Sequence, residues 1–328
     1  MPPNEAFTVT GAETMAASGD GLHAGLPAGF RSGFVAVVGR PNVGKSTLVN
    51  ALVGEKVAIT SDKPQTTRNA IRGVLDADNA QVVFVDTPGY HKPRTLLGER
   101  LNDVVRATWS DVDAAVFVVD GSAGVGRGDE KVAADMASRL GGPDAPPVFC
   151  VVNKIDLLRR DAIARELVKA AALGDFSEFV PVSARTGEQL DVLTKLVLDC
   201  LDEGPMYYPP GTRRDQPPPA FVAELVREKI LMRTREEVPH SVAVVTEDYE
   251  TRDDGLLEIR ANVYVERDSQ KAIVIGKGGS TLKAVGTEAR HEIEALFAQR
   301  VYLELRVKTE RDWQRKAHAL ERLGFTAG

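Results

Sequence analysis

The chain has 328 residues, 43% of them hydrophobic and 27% charged, with a formal net charge of −6. That length predicts two folded units, the composition is that of a soluble globular protein, and the acidic balance excludes nucleic-acid binding through a generally basic surface, leaving only a local patch. No apolar run approaches the roughly 20 residues that span a bilayer, and residues 1–32 hold no apolar core of a secretory signal.

Residues 1–32 carry acids, Gly, Ala and Thr and read as a disordered tail. From residue 33, strands are predicted at Phe34–Val38, Ile71–Leu75, Gln81–Val85, Ala114–Val119, Val148–Val152 and Phe179–Val182. Several are unbroken Val/Phe/Ala runs, which suit strands covered on both faces. Helices are predicted between most of them, Lys45–Val53 and Asp161–Ala172 among them. The alternation predicts a doubly wound α/β domain, residues 33–202, whose ligands bind at the carboxyl ends of its strands. Residues 203–219, EGPMYYPPGTRRDQPPP, form a proline-rich linker. Beyond it the pattern changes to helix Phe221–Met232, strands Ser241–Asp248 and Leu257–Glu266 around the turn-rich TRDDG, and a short helix through Ile275. The loop GKGG, a long helix Ser280–Phe297 and a strand Val301–Lys308 complete an α+β domain, residues 220–318, with 319–328 as a C-terminal tail.

Neither cysteine has metal spacing or catalytic neighbours. Cys150 falls in an apolar strand and Cys200 late in a helix, so both read as buried free thiols of a reducing cytoplasm. The five histidines are scattered singly, and none is assigned as a metal ligand.

GRPNVGKS, Gly39 to Ser46, fits G-x-x-x-x-G-K-[ST] in full, after a strand and before a helix. Its backbone N–H groups and the helix N-terminus favour phosphate oxygens. Gly39, Asn42, Val43, Gly44, Lys45, Ser46 and Thr47 are the expected phosphate-binding residues, with Lys45 reaching the β- and γ-phosphates and Ser46 binding Mg²⁺. DTPG, Asp86 to Gly89, follows an apolar strand. Asp86 is placed to hold the same Mg²⁺, and the Gly89 amide can approach a γ-phosphate. NKID, Asn153 to Asp156, follows the next apolar strand but one. Guanine offers two adjacent donors, N1–H and N2–H₂, that one carboxylate accepts together, whereas adenine would leave Asp156 unpaired. Asn153 is expected to brace the phosphate loop, the Lys154 stem to pack on the base, and a backbone N–H of the Ser183–Ala184 turn to donate to guanine O6. Four motifs in this order, each at a strand end, define a GTP-binding domain.

Between the first helix and second strand, Lys56–Asn69 is polar and holds Thr66, Thr67 and Arg68. Thr67 is expected to complete the Mg²⁺ shell, with Thr66 as the alternative. Lys45, Thr67 and Gly89 are thus the residues assigned to catalysis. The second switch is expected just after Gly89, in YHKPRTLLG. Many GTPases place a water-orienting glutamine there, but here the residue is Tyr90, so intrinsic turnover should be slow. Asn42 is a candidate for holding K⁺ in compensation, the alternative being a turn residue only.

VIGKGGSTLK, Val274 to Lys283, looks like a second phosphate loop but lacks its spacing: six residues before Lys277 stands Lys271, and Gly278 follows where Ser or Thr is required. It is instead the GxxG loop of a KH domain, which clamps about four single-stranded nucleotides. The helix and strand order α-β-β-α-α-β is that of the type II KH fold. Ile275, Gly276, Lys277, Gly278, Gly279 and Lys283 are the expected RNA contacts.

A GTPase domain joined by a proline-rich linker to a type II KH domain resembles the Era family of ribosome-associated GTPases, of the TrmE–Era–EngA type. The resemblance covers residues 33 to about 318 and rests on GRPNVGKSTLVN, AITSDKPQTTRN, DTPGYHKP, NKIDLL, VPVSARTG and VIGKGGSTLK. It implies a GTP/GDP switch that binds the 3′ end of 16S rRNA during assembly of the 30S subunit, in the cytoplasm and partly at the inner face of the cell membrane. No stable protein partner follows from it, and the N-terminal tail is longer than the core family needs. Two other readings are a signalling or membrane-associated GTPase whose C-terminal domain binds protein, and an RNA-binding protein with an inert first domain.

Overall fold

The computed structural model describes residues 26–63, 65–90, 93, 95–109, 112–142 and 145–325. Among them, the unbroken apolar segments become the inner strands of the first domain. β1 (Arg31–Val38), β2 (Ile71–Ala77), β3 (Ala80–Asp86), β4 (Ala114–Asp120), β5 (Val148–Asn153) and β6 (Glu178–Pro181) form a sheet in the order β2-β3-β1-β4-β5-β6. β2 is antiparallel to β3, and the other neighbours are parallel. β3 and β4 are buried at every residue because helices cover both faces. On one face lie α1 (Lys45–Val53) and α5 (Leu190–Cys200); on the other lie α2 (Leu96–Thr108), α3 (Arg127–Leu140) and α4 (Arg160–Ala171). The strand order reverses between β1 and β4, which opens a crevice at their carboxyl ends.

The second domain has a three-stranded sheet of β7 (Ala243–Thr251), β8 (Leu257–Val265) and β9 (Val301–Thr309), with β7 antiparallel and β9 parallel to β8. α6 (Pro218–Arg233) and α8 (Ser280–Phe297) bury Phe221, Leu225, Val285 and Ile293 against its apolar face, and α7 (Asp268–Ile275) precedes the glycine turn. This is the α-β-β-α-α-β order expected from the sequence. None of the described helices is long and apolar enough to cross a membrane.

Three boundaries differ from expectation. Phe30 is buried and β1 begins at Arg31, so the folded unit reaches into the segment read as the tail 1–32; residues 1–25 lie outside the described ones. The segment 203–219 is a bound strap. Val74 donates its N–H to Arg213 O at 2.9 Å and Asp215 donates to Arg72 O at 3.2 Å, extending the β2 edge. Buried Gln81 accepts the N–H groups of Tyr207 and Tyr208 at 2.8 and 2.9 Å. Finally, residues 319–325 are folded as well. Helix α9 (Ala317–Arg322) and the residues after it bury Leu320, Leu323 and Phe325 with Trp313 against Leu97 and Leu101 of α2. Thr326, Ala327 and Gly328 lie outside the described residues.

Candidate functional site

The phosphate loop runs from the end of β1 into α1, and a cavity of about 260 Å³ opens between Gly44–Thr47, the Thr60–Thr67 segment and Gly89. Lys45 is buried, and its ammonium donates to Gly39 O at 3.2 Å and Arg40 O at 3.0 Å, so the loop's own carbonyls hold it in place. Burial pushes it down to about 8, with the Asp86 charge pulling the other way. A phosphate entering here meets a cation that is already largely desolvated.

Ser46, Thr67 and Asp86 converge as expected. Ser46 Oγ donates to Asp86 Oδ2 at 2.6 Å, Thr67 Oγ1 donates to the same oxygen at 3.2 Å, and the two hydroxyls are 2.8 Å apart. Burial pushes the Asp86 carboxyl above the usual carboxylate range, against the pull of Lys45 and the two hydroxyls. Its other oxygen, Oδ1, is buried with no hydrogen-bond partner among the described residues. Three hard oxygen ligands with one orphaned lone-pair set suit a hard divalent cation. Thr66 also lines the cavity, but its hydroxyl is engaged by Ser61 and by Lys63 O, both at 2.6 Å. Gly89 passes close to the loop: a Cβ there would stand 2.7 Å from Pro41 Cα, so a side chain would push the two segments apart.

On the base side, buried Asn153 ties three segments together. Its Nδ2 donates to Val43 O at 2.9 Å, and its Oδ1 accepts Ala184 N–H at 3.1 Å and Lys154 N–H at 2.8 Å. Lys154 has a left-handed backbone (φ 67°) that lays its ammonium over the phosphate loop, 2.7 Å from Asn42 O and 2.5 Å from Asp120 Oδ2. Asp156 is exposed, two residues beyond Lys154, which lines the cavity, and Ser183 Oγ donates to its Oδ1 at 2.7 Å; Asp156, Ser183 and Ala184 themselves are not among the residues lining the cavity. Asp120, at the end of β4, was not legible as a site residue in the sequence. Its acid at a strand end was the available signal.

Tyr90 turns away from the phosphates. It is buried against Trp109, with ring centroids 6.1 Å apart, and its hydroxyl accepts from Arg106 at 3.2 Å. Asn42 (φ 65°) donates through Nδ2 to Asp62 O at 2.8 Å, linking the phosphate loop to the Lys56–Asn69 segment. Within the expected second switch, His91, Lys92 and Arg94 lie outside the described residues. Cys150 is buried and its thiol is pushed up to about 12 by burial; half-buried Cys200 is pushed up to about 11. Neither faces this cavity.

The second loop lies in the other domain. α7 ends at Gly276 (φ 75°), and a Cβ there would overlap Thr281 Oγ1, so the turn requires glycine. Gly278 (φ 60°) and Gly279 (φ 80°) complete it, with Lys277 and Gly278 exposed. Beside it, a cleft of about 420 Å³ runs between α8 and β9, lined by Leu282, Lys283, Arg290, Leu303 and Leu305. Ile275 is half-buried and Ile273 exposed next to the turn. Lys283, Gly286 and Arg290 share one helical face; that spacing was the signal for Arg290, which sequence reasoning missed.

Fold and site together define a P-loop GTPase domain carrying a type II KH domain. The family described as 50S ribosome-binding GTPase matches residues 34–154, and the KH domain family matches residues 237–314. Proteins named GTPase Era are 52% identical in Mycobacterium sp. (strain KMS) and 49% in Mycobacterium tuberculosis (strain ATCC 25177 / H37Ra), each over 299 residues that cover 90% of this chain and 99% of theirs. The chain belongs to the Era family of GTPases. It is also similar to a crystal structure of Era in complex with MgGDPNP and nucleotides 1506–1542 of 16S ribosomal RNA, with a TM-score of 0.85 at 37% identity, covering 90% of this chain and 99% of that one. A variant of Aquifex aeolicus Era bound to GDP·AlF₄⁻ gives 0.86 at 37% identity with the same coverage.

Proposed function

We propose that this protein is a slowly hydrolysing GTP switch that binds the 3′ region of 16S rRNA and acts in 30S subunit assembly in the cytoplasm. The observation that carries the reading is the pairing of a phosphate-loop cavity, beside the Asn153–Asp156 segment, with an exposed Gly276–Gly279 turn beside a cleft lined by Lys283 and Arg290. The solved Era bound to 16S nucleotides supports it. GTP would enter with its phosphates on Gly39–Thr47 and its base edge on Asp156. Ser46, Thr67 and Asp86 would hold Mg²⁺, which supplies charge neutralisation at the phosphates. Lys45 adds a buried positive charge, and Gly89 lets the backbone come close to the γ-phosphate. RNA phosphates would meet Lys277 and the backbone of Gly276, Gly278 and Gly279, while Ile275 borders the bases.

The test is binding of a 16S 3′-end oligonucleotide to the full chain loaded with a GTP analogue or GDP, at an ionic strength of about 150 mM. Gly278 has open space where a Cβ would stand. Gly278→Asp should therefore lower RNA affinity by about tenfold or more through charge repulsion and backbone strain, with guanine-nucleotide affinity unchanged. RNA affinity indifferent to both nucleotide and Gly278→Asp would leave the protein-binding alternative as the better reading.

With Tyr90 turned into the core, water must be oriented by another group. We propose that the Asn42 carboxamide, at the junction of the phosphate loop and the Lys56–Asn69 segment, helps to hold K⁺ there. Hydrolysis should then run faster in K⁺ than in Na⁺. Equal rates in the two salts would sink the idea.

A further inference from the structure

Thr67 is flanked on either side by residues that contact the other domain. Its neighbour Arg68 is 1% exposed and crosses into the KH domain. There its guanidinium donates to Val242 O at 2.7 Å, His240 O at 3.0 Å and Pro239 O at 3.2 Å. Its central carbon lies 5.7 Å from the Trp313 ring centroid and 6.0 Å from that of Phe325. Trp313 is itself fixed, fully buried with its indole N–H on Ser241 O at 2.9 Å. On the other side of Thr67, Arg227 of α6 donates to Thr66 O. Earlier in the same segment, Ile59 is buried in the KH core, and Thr60 N–H donates to Glu228 Oε1 at 2.8 Å.

This socket is built for a guanidinium. Three carbonyls converge on two separate nitrogens, and aromatic rings flank the cation. A lysine ammonium has one nitrogen and cannot reach both positions. Burial of a cation among carbonyls with no directly bonded carboxylate is costly for stability alone, which points to a positional use. We propose that Arg68 is a positioning residue for the GTPase reaction: seated in the socket formed by residues 239–242 and Trp313, it holds Thr67 beside Ser46 and Asp86. The KH domain thereby supplies a structural part of the GTP-state metal site. By thermodynamic reciprocity, whatever displaces the socket weakens the GTP-bound state, and GTP in turn favours the seated socket.

The inference rests on Thr67 completing the Mg²⁺ shell, as proposed above. The test measures affinities of the full chain for a GTP analogue and for GDP, each with excess Mg²⁺ and with EDTA, in wild type, Thr67→Ala, Arg68→Ala and Arg68→Lys. Thr67→Ala should weaken only the Mg²⁺-supported binding of the GTP analogue. Both Arg68 variants should reproduce that selective loss, about tenfold, with GDP affinity within about twofold of wild type and no difference in EDTA. Wild-type behaviour of the Arg68 variants while Thr67→Ala shows its loss would overturn the proposal and leave the metal reading intact. Equal losses for analogue and GDP would assign Arg68 a general structural role and also overturn it. No effect of Thr67→Ala would overturn the metal reading and this inference together.

Discussion

Asp156 is exposed, with one oxygen accepting from Ser183, and a carboxylate there can accept both donors of a guanine edge, as proposed above. Asp156→Asn replaces one acceptor by an N–H₂ donor, which opposes the guanine N2 amine but matches the xanthine O2 carbonyl. GDP affinity should fall by about 100-fold or more, and xanthosine diphosphate should become the better ligand. Competition of the two nucleotides measures this directly; unchanged preference for GDP would remove Asp156 from base recognition. The role of such residues was legible in the sequence because each motif is contiguous and sits at a strand end. The contacts of Asp120 and Arg68 were not, because their partners lie far along the chain: Asp120 meets Lys154, and Arg68 meets Val242.

At the scale of elements, α6 was predicted as a helix, and the structure adds what it packs against. Phe221, Leu225 and Val226 pack in the core of the KH domain. Arg227 and Glu228 are also buried, because the helix docks on the Lys56–Asn69 segment as well: Lys56 Nζ is 2.5 Å from both Glu228 Oε2 and Glu292 Oε1. The proline-rich strap behaves likewise. Prolines marked a break between domains, but they do not forbid edge pairing on either side of themselves, and Arg214 stacks 4.2 Å from the Phe221 ring centroid while reaching Glu55 at 3.2 Å. The end of the chain carries a third such element. Ending the chain after Lys316 would remove Leu320, Leu323 and Phe325 from Leu97, Leu101 and Trp313. The expected cost is about 2–4 kcal/mol and a fall of roughly 5–10 °C in the first thermal unfolding midpoint. A midpoint equal to that of the full chain would mean that α9 contributes no net stability to α2.

For the whole molecule, the consequence is that the two segments expected to sense the γ-phosphate both adjoin elements that pack on the second domain. The Lys56–Asn69 segment lies between α1 and the α6–Trp313 surface, and α2, which follows Gly89, packs under α9. If Arg68 acts as proposed above, loading with GTP should change contacts between the domains as well as contacts within the first. The sequence by itself determined the two domain types, the helix and strand order, the guanine-nucleotide motifs and the GxxG turn. These depend on local periodicity, on glycine conformations and on motif spacing, all of which are written along a short stretch of chain. Only the tertiary structure decided that the linker and the last residues are folded, that Tyr90 faces the core, and that Arg68 joins the two domains. Those outcomes depend on which surfaces remain to be covered once the domains meet, and burial of that kind is a property of distant segments brought together.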